Sequence, residues 1–189
     1  MASTTDTARS GAAASGLILL LGGARSGKSA LAVRWGRAHD GPVTFVATAG
    51  AGDDEMRRRI TRHRAERPTG WDTVEEPHHI TGALGAAEPR ALVIVDCLTL
   101  WLVNVLDRSD AAILSAAGDF AAAARARPAP TVVVSNEVGW GIVPADPDTR
   151  RYRDLLGEIN TLVAAAAART LLLIAGRALP LDPPPSSPM

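Results

Sequence analysis

The chain has 189 residues, which is enough for one well-buried domain and too few for two large ones. Its formal net charge is zero, so no chain-wide field attracts nucleic acid or an acidic membrane surface, and any anion site must be local. The single cysteine, Cys97, excludes an internal disulfide and a cysteine-cluster metal site, and it favours a reducing, cytoplasmic location.

The two ends of the chain differ in composition from the middle. Residues 1–16 (MASTTDTARSGAAASG) are small and polar, and we expect them to be a disordered leader. The apolar run LILLL that follows is too short for a signal sequence or a membrane span. Residues 177–189 include LPLDPPPSSPM, and proline there predicts a tail that neither packs nor forms a helix. One folded domain over residues 17–176 is the expected organisation.

Short apolar runs alternate with helical patterns along this domain. The runs predict buried parallel strands at Leu17–Leu21, Val43–Ala47, Leu92–Val95, Thr131–Ser135 and Thr170–Ile174. The intervening segments predict helices at Lys28–His39, Asp53–Arg64, Leu98–Leu106, Asp110–Arg127 and Arg150–Arg169. The alternation predicts an α/β fold with an open, mostly parallel sheet, helices on both faces, and ligands at the carboxyl ends of the strands.

The segment GGARSGKS joins the first predicted strand to the first predicted helix and satisfies the P-loop pattern G-x-x-x-x-G-K-[ST]. Lys28 within it is the only lysine of the chain, beside nineteen arginines. A compact ammonium on a flexible stem reaches the β- and γ-phosphates of a nucleotide, while Ser29 supplies a hydroxyl for Mg²⁺. The phosphates are expected to contact Gly22, Gly23, Ala24, Arg25, Ser26, Gly27, Lys28 and Ser29.

A second element of such a site is a carboxylate at the end of a neighbouring strand. Asp96 follows the apolar run LVIV and is the candidate partner of Mg²⁺, although a carboxylate at a strand end also caps helices. Thr99, one turn further along, either caps the following helix or contacts the nucleotide, and the sequence leaves both roles open.

Three further segments are distinctive. They are DDEMRRRITRHRAERPTGWDTVEEP, VDCLTLWLVN and SNEVGWGIVPADPDTRRYRDLLGEIN. Together with GGARSGKS and the preceding VATAG, they closely resemble the bifunctional adenosylcobinamide kinase / adenosylcobinamide-phosphate guanylyltransferase family of cobalamin biosynthesis. The resemblance covers residues 17–176 in order.

The resemblance implies a P-loop NTPase-like, RecA-like fold and two reactions at one site. ATP or GTP, with Mg²⁺, phosphorylates the hydroxyl of the aminopropanol arm of adenosylcobinamide. GTP then donates GMP to adenosylcobinamide-phosphate through a GMP-histidine intermediate, giving adenosylcobinamide-GDP and pyrophosphate. A homotrimer is implied as well, and neither nucleic acid nor a membrane span is expected. The alternatives are a P-loop kinase for another small alcohol and a nucleotide-binding regulatory module without turnover.

The histidine that matches the family segment is His63. On the helix predicted from Asp53, it shares a face with Met56 and Ile60, which precede it by seven and three residues. Some relatives carry two adjacent histidines here, and this chain has Arg62 in the first position. The competing interpretation is a surface histidine on an arginine-rich helix.

Other nucleotide-binding residues follow from the same segments. Guanidinium groups neutralise departing pyrophosphate, and Arg64 and Arg67 are the candidates, although a charged helix face that only contacts water is the alternative. The resemblance assigns four more residues to the nucleotide, namely Ala47, Thr48, Ala49 and Glu76.

The motif NEVGWGIVP follows the predicted strand TVVVS and is expected at the carboxyl edge of the sheet. Glu137 and Asn136 either orient a substrate or guanine, or they stabilise the loop. The rest of this motif is given a structural or subunit-contact role, through Arg150, Arg153, Asp154, Gly157 and Asn160. The tryptophans are expected in the core or at subunit contacts.

Overall fold

The computed structural model describes residues 16–50 and 68–185. Their centre is a seven-stranded sheet, whose strands in chain order are β1 (Leu17–Gly22), β2 (Val43–Ala47), β3 (Asp72–Glu75), β4 (Leu92–Asp96), β5 (Thr131–Val134), β6 (Arg169–Ile174) and β7 (Arg177–Leu181). Five helices are described, namely α1 (Lys28–Arg37), α2 (Ile80–Ala86), α3 (Leu98–Val105), α4 (Asp110–Ala126) and α5 (Pro147–Ala166).

The strands lie in the order β3-β2-β4-β5-β1-β6-β7, and all neighbouring pairs are parallel except β6 with β7. In this register Asp96 is level with Val134, which is level with Leu20 of β1. The carboxyl ends of β4, β5 and β1 therefore meet at one edge of the sheet. The predicted α/β class, with a mostly parallel sheet, is confirmed.

The core has one cluster on each face of the sheet, because successive side chains of a strand point to opposite faces. Leu19 of β1 packs with helices α2 to α5, whereas Leu20 packs on the other face with α1. The sheet thus has helices on both faces, as predicted. Strands that are buried on both faces have continuous apolar sequences, and for this reason five of the seven strands could be predicted from the sequence.

Three elements were not predicted. Strand β3, with the sequence DTVE, is polar and largely exposed at the edge of the sheet. Helix α2 has two glycines in seven residues, and these weaken its helical pattern. Strand β7 falls in the segment predicted to be a tail that cannot pack, and this prediction was wrong for Arg177–Leu181. An edge strand tolerates Pro180 because its outer side needs no ladder hydrogen bond.

Helix boundaries also differ from the predictions. Helix α5 begins at Pro147 rather than Arg150, because the carboxylate of Asp146 caps it by accepting a hydrogen bond from the N–H of Thr149 and proline suits the first turn. It ends at Ala166, and Arg169 already belongs to β6. The helix predicted at Asp53–Arg64 lies outside the described residues, as do residues 1–15 of the leader predicted at 1–16. Within the described parts of the chain, no helix combines the length and apolar character needed to cross a membrane.

Candidate active site

The P-loop connects β1 to α1 at the carboxyl edge of the sheet. Helix α1 starts directly after Gly27, has no side-chain cap and has no acidic residue in its first turn. The first N–H groups of a helix have no partner within it and carry its positive dipole end. The start of α1 is therefore available to an anion, as the motif predicts.

Two P-loop glycines adopt conformations that other residues rarely take. Gly22 has φ 145° and Gly27 has φ 102°. A Cβ on Gly22 would lie 2.3 Å from the carbonyl oxygen of Leu173 and 2.8 Å from Oγ of Ser26. The glycine at position 22 therefore serves close packing against β6 as well as the turn.

Lys28 is turned into its own loop. Its Nζ donates hydrogen bonds to the carbonyl oxygens of Gly22 and Gly23, both at 2.8 Å, and to Oγ of Ser26 at 3.4 Å. The side chain is only 5% exposed, and burial lowers the pKa of Lys28, although the nearby Asp96 and Cys97 act in the opposite direction. The ammonium is held by main-chain carbonyls of the same loop that the motif predicts to bind phosphate.

The turn between β6 and β7 supports the P-loop from one side. The N–H of Gly176 donates to the carbonyl oxygen of Ser26 at 3.0 Å, and the turn uses positive φ at Ala175 and Gly176. No residue of this turn was predicted to affect the site, because a contact between residues 150 positions apart leaves no local signal. The one local signal was Gly176 itself, because a glycine between two apolar runs is typical of a hairpin turn that needs a positive φ.

Asp96 ends β4 at the same edge of the sheet, and its charge opposes the lowering of the Lys28 pKa by burial. The next residue, Cys97, is partly buried, and burial together with the Asp96 carboxylate raises the pKa of its thiol to about 11. Among the described residues, no group of three or more His, Cys, Asp or Glu side chains could hold a metal ion.

Thr48, one of the predicted nucleotide contacts, is fully buried and bonded to the protein. Its Oγ1 donates to the carbonyl oxygen of Cys97 at 2.7 Å and accepts from the Cys97 N–H at 2.8 Å. Nδ2 of Asn104 donates to the carbonyl oxygens of Thr48 and Pro77, at 2.7 and 3.1 Å. The side chain of Thr48 thus connects the end of β2 to the start of α3. Ala47 is buried beside it and Ala49 is half-buried.

Glu76, another predicted nucleotide contact, bonds to the chain ahead of α2. One carboxylate oxygen accepts from the N–H groups of His78 and His79, at 2.9 and 2.8 Å. The N–H of His79, then that of His78, lowers the pKa of Glu76. The carboxylate is therefore ionised at neutral pH.

Thr99 has a role that was not predicted. Its Oγ1 accepts from the N–H of Asn136 at 3.0 Å, and Nδ2 of the buried Asn160 donates to the carbonyl oxygen of Asn136, also at 3.0 Å. Both sides of the Asn136 main chain are fixed in this way. Thr99 thereby links the start of α3 with the segment that follows β5.

The segment after Asn136 forms a loop with both ends anchored. The N–H of Glu137 donates to the carbonyl oxygen of Gly22 in the P-loop at 3.1 Å, and the Glu137 carboxylate accepts from the N–H of Gly139 at 2.6 Å. At the other end Nη1 of Arg150 donates to the carbonyl oxygens of Pro144 and Ala145, at 2.8 and 2.7 Å. The structural role predicted for Arg150 agrees with these contacts.

The structure brings together only part of the predicted site. Residues 22–29, Asp96, Thr99 and Glu137 share the carboxyl edge around β1, β4 and β5. His63, Arg64 and Arg67 lie outside the described residues, so their roles stay predictions.

A family model matches residues 18–181, and its description is cobinamide kinase / cobinamide phosphate guanyltransferase. The bifunctional adenosylcobalamin biosynthesis protein CobP of Pseudomonas aeruginosa is 42% identical over 176 residues, which are 88% of this chain and 98% of that protein. Its counterpart CobU of Escherichia coli is 36% identical over 178 residues, covering 85% of this chain and 96% of the relative.

Solved structures share the fold at low sequence identity. The type III secretion ATPase EscN of enteropathogenic E. coli aligns with a TM-score of 0.56 at 14% identity, over 85% of this chain and 43% of that one. Another type III secretion ATPase aligns at 0.54 and 13% identity, over 84% of this chain and 51% of that one. The RadB recombinase aligns at 0.50 and 19% identity, over 83% and 73%. These neighbours show a P-loop NTPase fold of the RecA-like kind.

Proposed function

The chain belongs to the cobinamide kinase / cobinamide phosphate guanyltransferase family, and from that premise we propose which of its residues carry the two reactions. The protein is a bifunctional enzyme of cobalamin biosynthesis. It phosphorylates adenosylcobinamide and then transfers GMP from GTP to adenosylcobinamide-phosphate, giving adenosylcobinamide-GDP. The single observation that carries the assignment of residues is Lys28, held at the start of α1 in a glycine-rich loop.

Lys28 and the P-loop bind the triphosphate in both reactions. The Nζ donors that now bond to Gly22 and Gly23 turn to phosphate oxygens, and the N–H groups that begin α1 bind the same anion. The positive charge of Lys28 stabilises the γ-phosphoryl group as it passes to the acceptor hydroxyl. Positioning of the two substrates contributes most of the rest of the rate enhancement. The contacts extend over residues 22–29.

Ser29 and Asp96 are the proposed protein ligands of Mg²⁺. A hydroxyl and a carboxylate are hard oxygen donors, which fits an ion that keeps several waters and contacts few protein groups. When bound, Mg²⁺ supplies Lewis-acid neutralisation of the phosphate charge. Asp96 also holds a negative charge near Lys28, which helps to keep that side chain protonated.

His63 is the proposed nucleophile of the second reaction. An imidazole nitrogen attacks the α-phosphorus of GTP, forming a P–N bond as the bond to pyrophosphate breaks. The phosphate of adenosylcobinamide-phosphate then attacks the same phosphorus, and the P–N bond breaks to release adenosylcobinamide-GDP and neutral histidine. Arg64 and Arg67 neutralise the departing pyrophosphate.

Hydrogen bonds within the protein limit which atoms of the other proposed residues can contact the nucleotide. Thr48 is committed to Cys97 and Thr99 to Asn136, so these two residues shape the site rather than contact the nucleotide through their hydroxyls. Main-chain groups of Ala47, Thr48 and Ala49 line the nucleotide, and the second oxygen of Glu76 is the part of that carboxylate available to it. We also propose that the protein is a homotrimer and that it acts in the cytoplasm.

Labelled GTP tests the division of roles. Incubation of the full chain with α-labelled GTP and Mg²⁺ is expected to give an acid-labile GMP adduct, and His63→Ala is expected to abolish the adduct while sparing phosphorylation of adenosylcobinamide. A matched variant, His39→Ala, should keep the adduct. An undiminished adduct in His63→Ala would remove His63 from the mechanism, and phosphorylation without any adduct in the unaltered chain would favour a kinase with one activity.

A further inference from the structure

We infer that the loop at residues 138–145, here termed the apolar loop, binds the corrinoid body of the acceptor in both reactions. This inference rests on the proposed function, since it assigns the second substrate of the same site. Neither the family match nor the relatives' names assign residues to this substrate.

The apolar loop exposes large apolar side chains. Trp140 is 75% exposed, Ile142 is 96% exposed and Val143 is 62% exposed. Single exposed apolar residues are common, but three within four positions concentrate apolar surface on one short loop, and concentrated apolar surface marks binding sites. The sequence VGWGIVPA of this loop contains no charged residue. An uncharged surface of this kind fits a large amphipathic ligand.

The loop is held in place although its side chains face outward. Its beginning is fixed by the bond from the Gly139 N–H to the Glu137 carboxylate, and its end by the two bonds from Arg150 to Pro144 and Ala145. A surface fixed before binding loses less conformational entropy when the ligand arrives. The anchors therefore present Trp140, Ile142 and Val143 as a preformed contact surface.

The loop lies next to the phosphate site. Glu137, directly before it, donates its N–H to the carbonyl oxygen of Gly22, and this same oxygen accepts from Nζ of Lys28. One main-chain carbonyl thus joins the loop to the residue that holds the triphosphate. An acceptor whose hydroxyl meets the γ-phosphate must place the rest of its body within a short distance of this point.

The chemistry of the acceptor selects the occupant. The reacting hydroxyl sits on a short arm, and the arm is attached to a broad corrin ring that carries methyl and amide groups. Such a ring offers an apolar face to Trp140 and Ile142. A second copy of the chain is the other candidate occupant, but a copy seated on the loop would cover the surface beside which the body of the acceptor must lie.

Binding and kinetics of surface variants test the inference. Trp140→Ala and Ile142→Ser are expected to raise the KM for adenosylcobinamide by roughly tenfold, with the KM for GTP unchanged. Corrinoid binding to the full chain, saturated with a non-hydrolysable triphosphate and Mg²⁺, can be measured by equilibrium dialysis from the colour of the corrinoid. Trp140→Phe should retain most of the affinity. Leu162→Ala is the matched control, because Leu162 is a partly exposed apolar residue near the other end of α5.

The outcomes separate this inference from the proposed function. Product formation by the unaltered chain, with a raised corrinoid KM in both loop variants, supports the inference. An unchanged corrinoid KM in both loop variants overturns the inference and leaves the proposed function intact. A change in the molecular mass of the loop variants in solution also overturns the inference, because the loop would then be an interface between copies of the chain. If the unaltered chain gives neither product nor GMP adduct, the proposed function is refuted, and the inference that rests on it falls with it.

Discussion

The hydroxyl of Thr48 bonds to both main-chain polar groups of Cys97, accepting from its N–H and donating to its carbonyl oxygen. One side chain thereby joins the carboxyl end of β2 to the junction of β4 and α3. Asp96 precedes Cys97 directly, so the position of the proposed Mg²⁺ ligand depends on this connection.

Replacing Thr48 by valine tests the connection. Thr48→Val keeps the shape of the side chain and removes the hydroxyl, which leaves the N–H of Cys97 without this partner. We expect a loss of about 1–3 kcal/mol in the free energy of unfolding and a Tm lower by several degrees. Thr48→Ser should restore most of this stability, and equal Tm values for the valine and serine variants would contradict the argument. Thermal unfolding followed by circular dichroism gives the measurement.

Two adjacent glycines are expected to respond differently to the same substitution. Gly22→Ala places a Cβ 2.3 Å from the carbonyl oxygen of Leu173, at a φ of 145° that alanine rarely adopts. Gly23→Ala meets no atom within 4 Å. Thermal unfolding should therefore show a clear loss of Tm in Gly22→Ala and little change in Gly23→Ala. Equal Tm values for the two variants would show that β6 can move away from the added Cβ without loss of stability.

Lys28 is expected to be essential in both reactions. Lys28→Ala removes the ammonium at the phosphate site and should lower the rates of phosphorylation and of GMP transfer by orders of magnitude. Lys28→Arg should fail as well, because a planar guanidinium cannot reproduce the compact contacts with Gly22 and Gly23. The two reactions are assayed separately, the second with preformed adenosylcobinamide-phosphate. Loss of only one activity would indicate separate triphosphate sites.

The end of the chain contributes to the phosphate site through β7. Truncation after Gly176 removes the partner strand of β6 and frees the turn that bonds to Ser26. We expect a lower Tm and weaker binding of a fluorescent GTP analogue. Truncation after Leu181 keeps the whole hairpin and is the control that should match the intact chain. Equal nucleotide affinity in the two truncated proteins would show that β7 is dispensable for the site.

The thiol of Cys97 is expected to react slowly in the folded protein. Burial and the neighbouring carboxylate raise its pKa to about 11, against an ordinary value of 9.0. At pH 8 the thiolate fraction is then roughly 100-fold lower, and the higher nucleophilicity of the more basic thiolate offsets part of this difference. Reaction with a thiol reagent should be about tenfold slower than in urea, rising with pH beyond 9. A rate equal to that of the unfolded chain would contradict the burial.

The sequence was sufficient for the parts of the fold with a local signal. Strands buried on both faces, such as Val43–Ala47, appear as uninterrupted apolar runs, and the P-loop is defined by residue types at fixed spacing. Edge strands lack this signal, because the strands Asp72–Glu75 and Arg177–Leu181 are largely exposed and join the sheet through ladder hydrogen bonds. Their residue types are therefore those of a loop or a tail.

Side-chain roles at the site were harder to predict than its location. Asp96 was expected near the phosphates because it follows a strand, whereas the sequence left Thr99 open between a helix cap and a nucleotide contact. Both residues lie at that edge of the sheet. The sequence could not show that the hydroxyls of Thr48 and Thr99 are used by Cys97 and Asn136, since those partners are 49 and 37 residues away. A polar residue beside a site either meets the ligand or supports the loop that does, and only long-range contacts separate these roles.

The sole lysine has a practical consequence. A reagent that acylates amines has two targets in this chain, the amino terminus and Lys28, and Lys28 is buried among the carbonyl groups of its own loop. Covalent tagging of amines therefore reports on a single interior position, and mass spectrometry of the peptide that contains it would show how often the loop opens and when a nucleotide shields it.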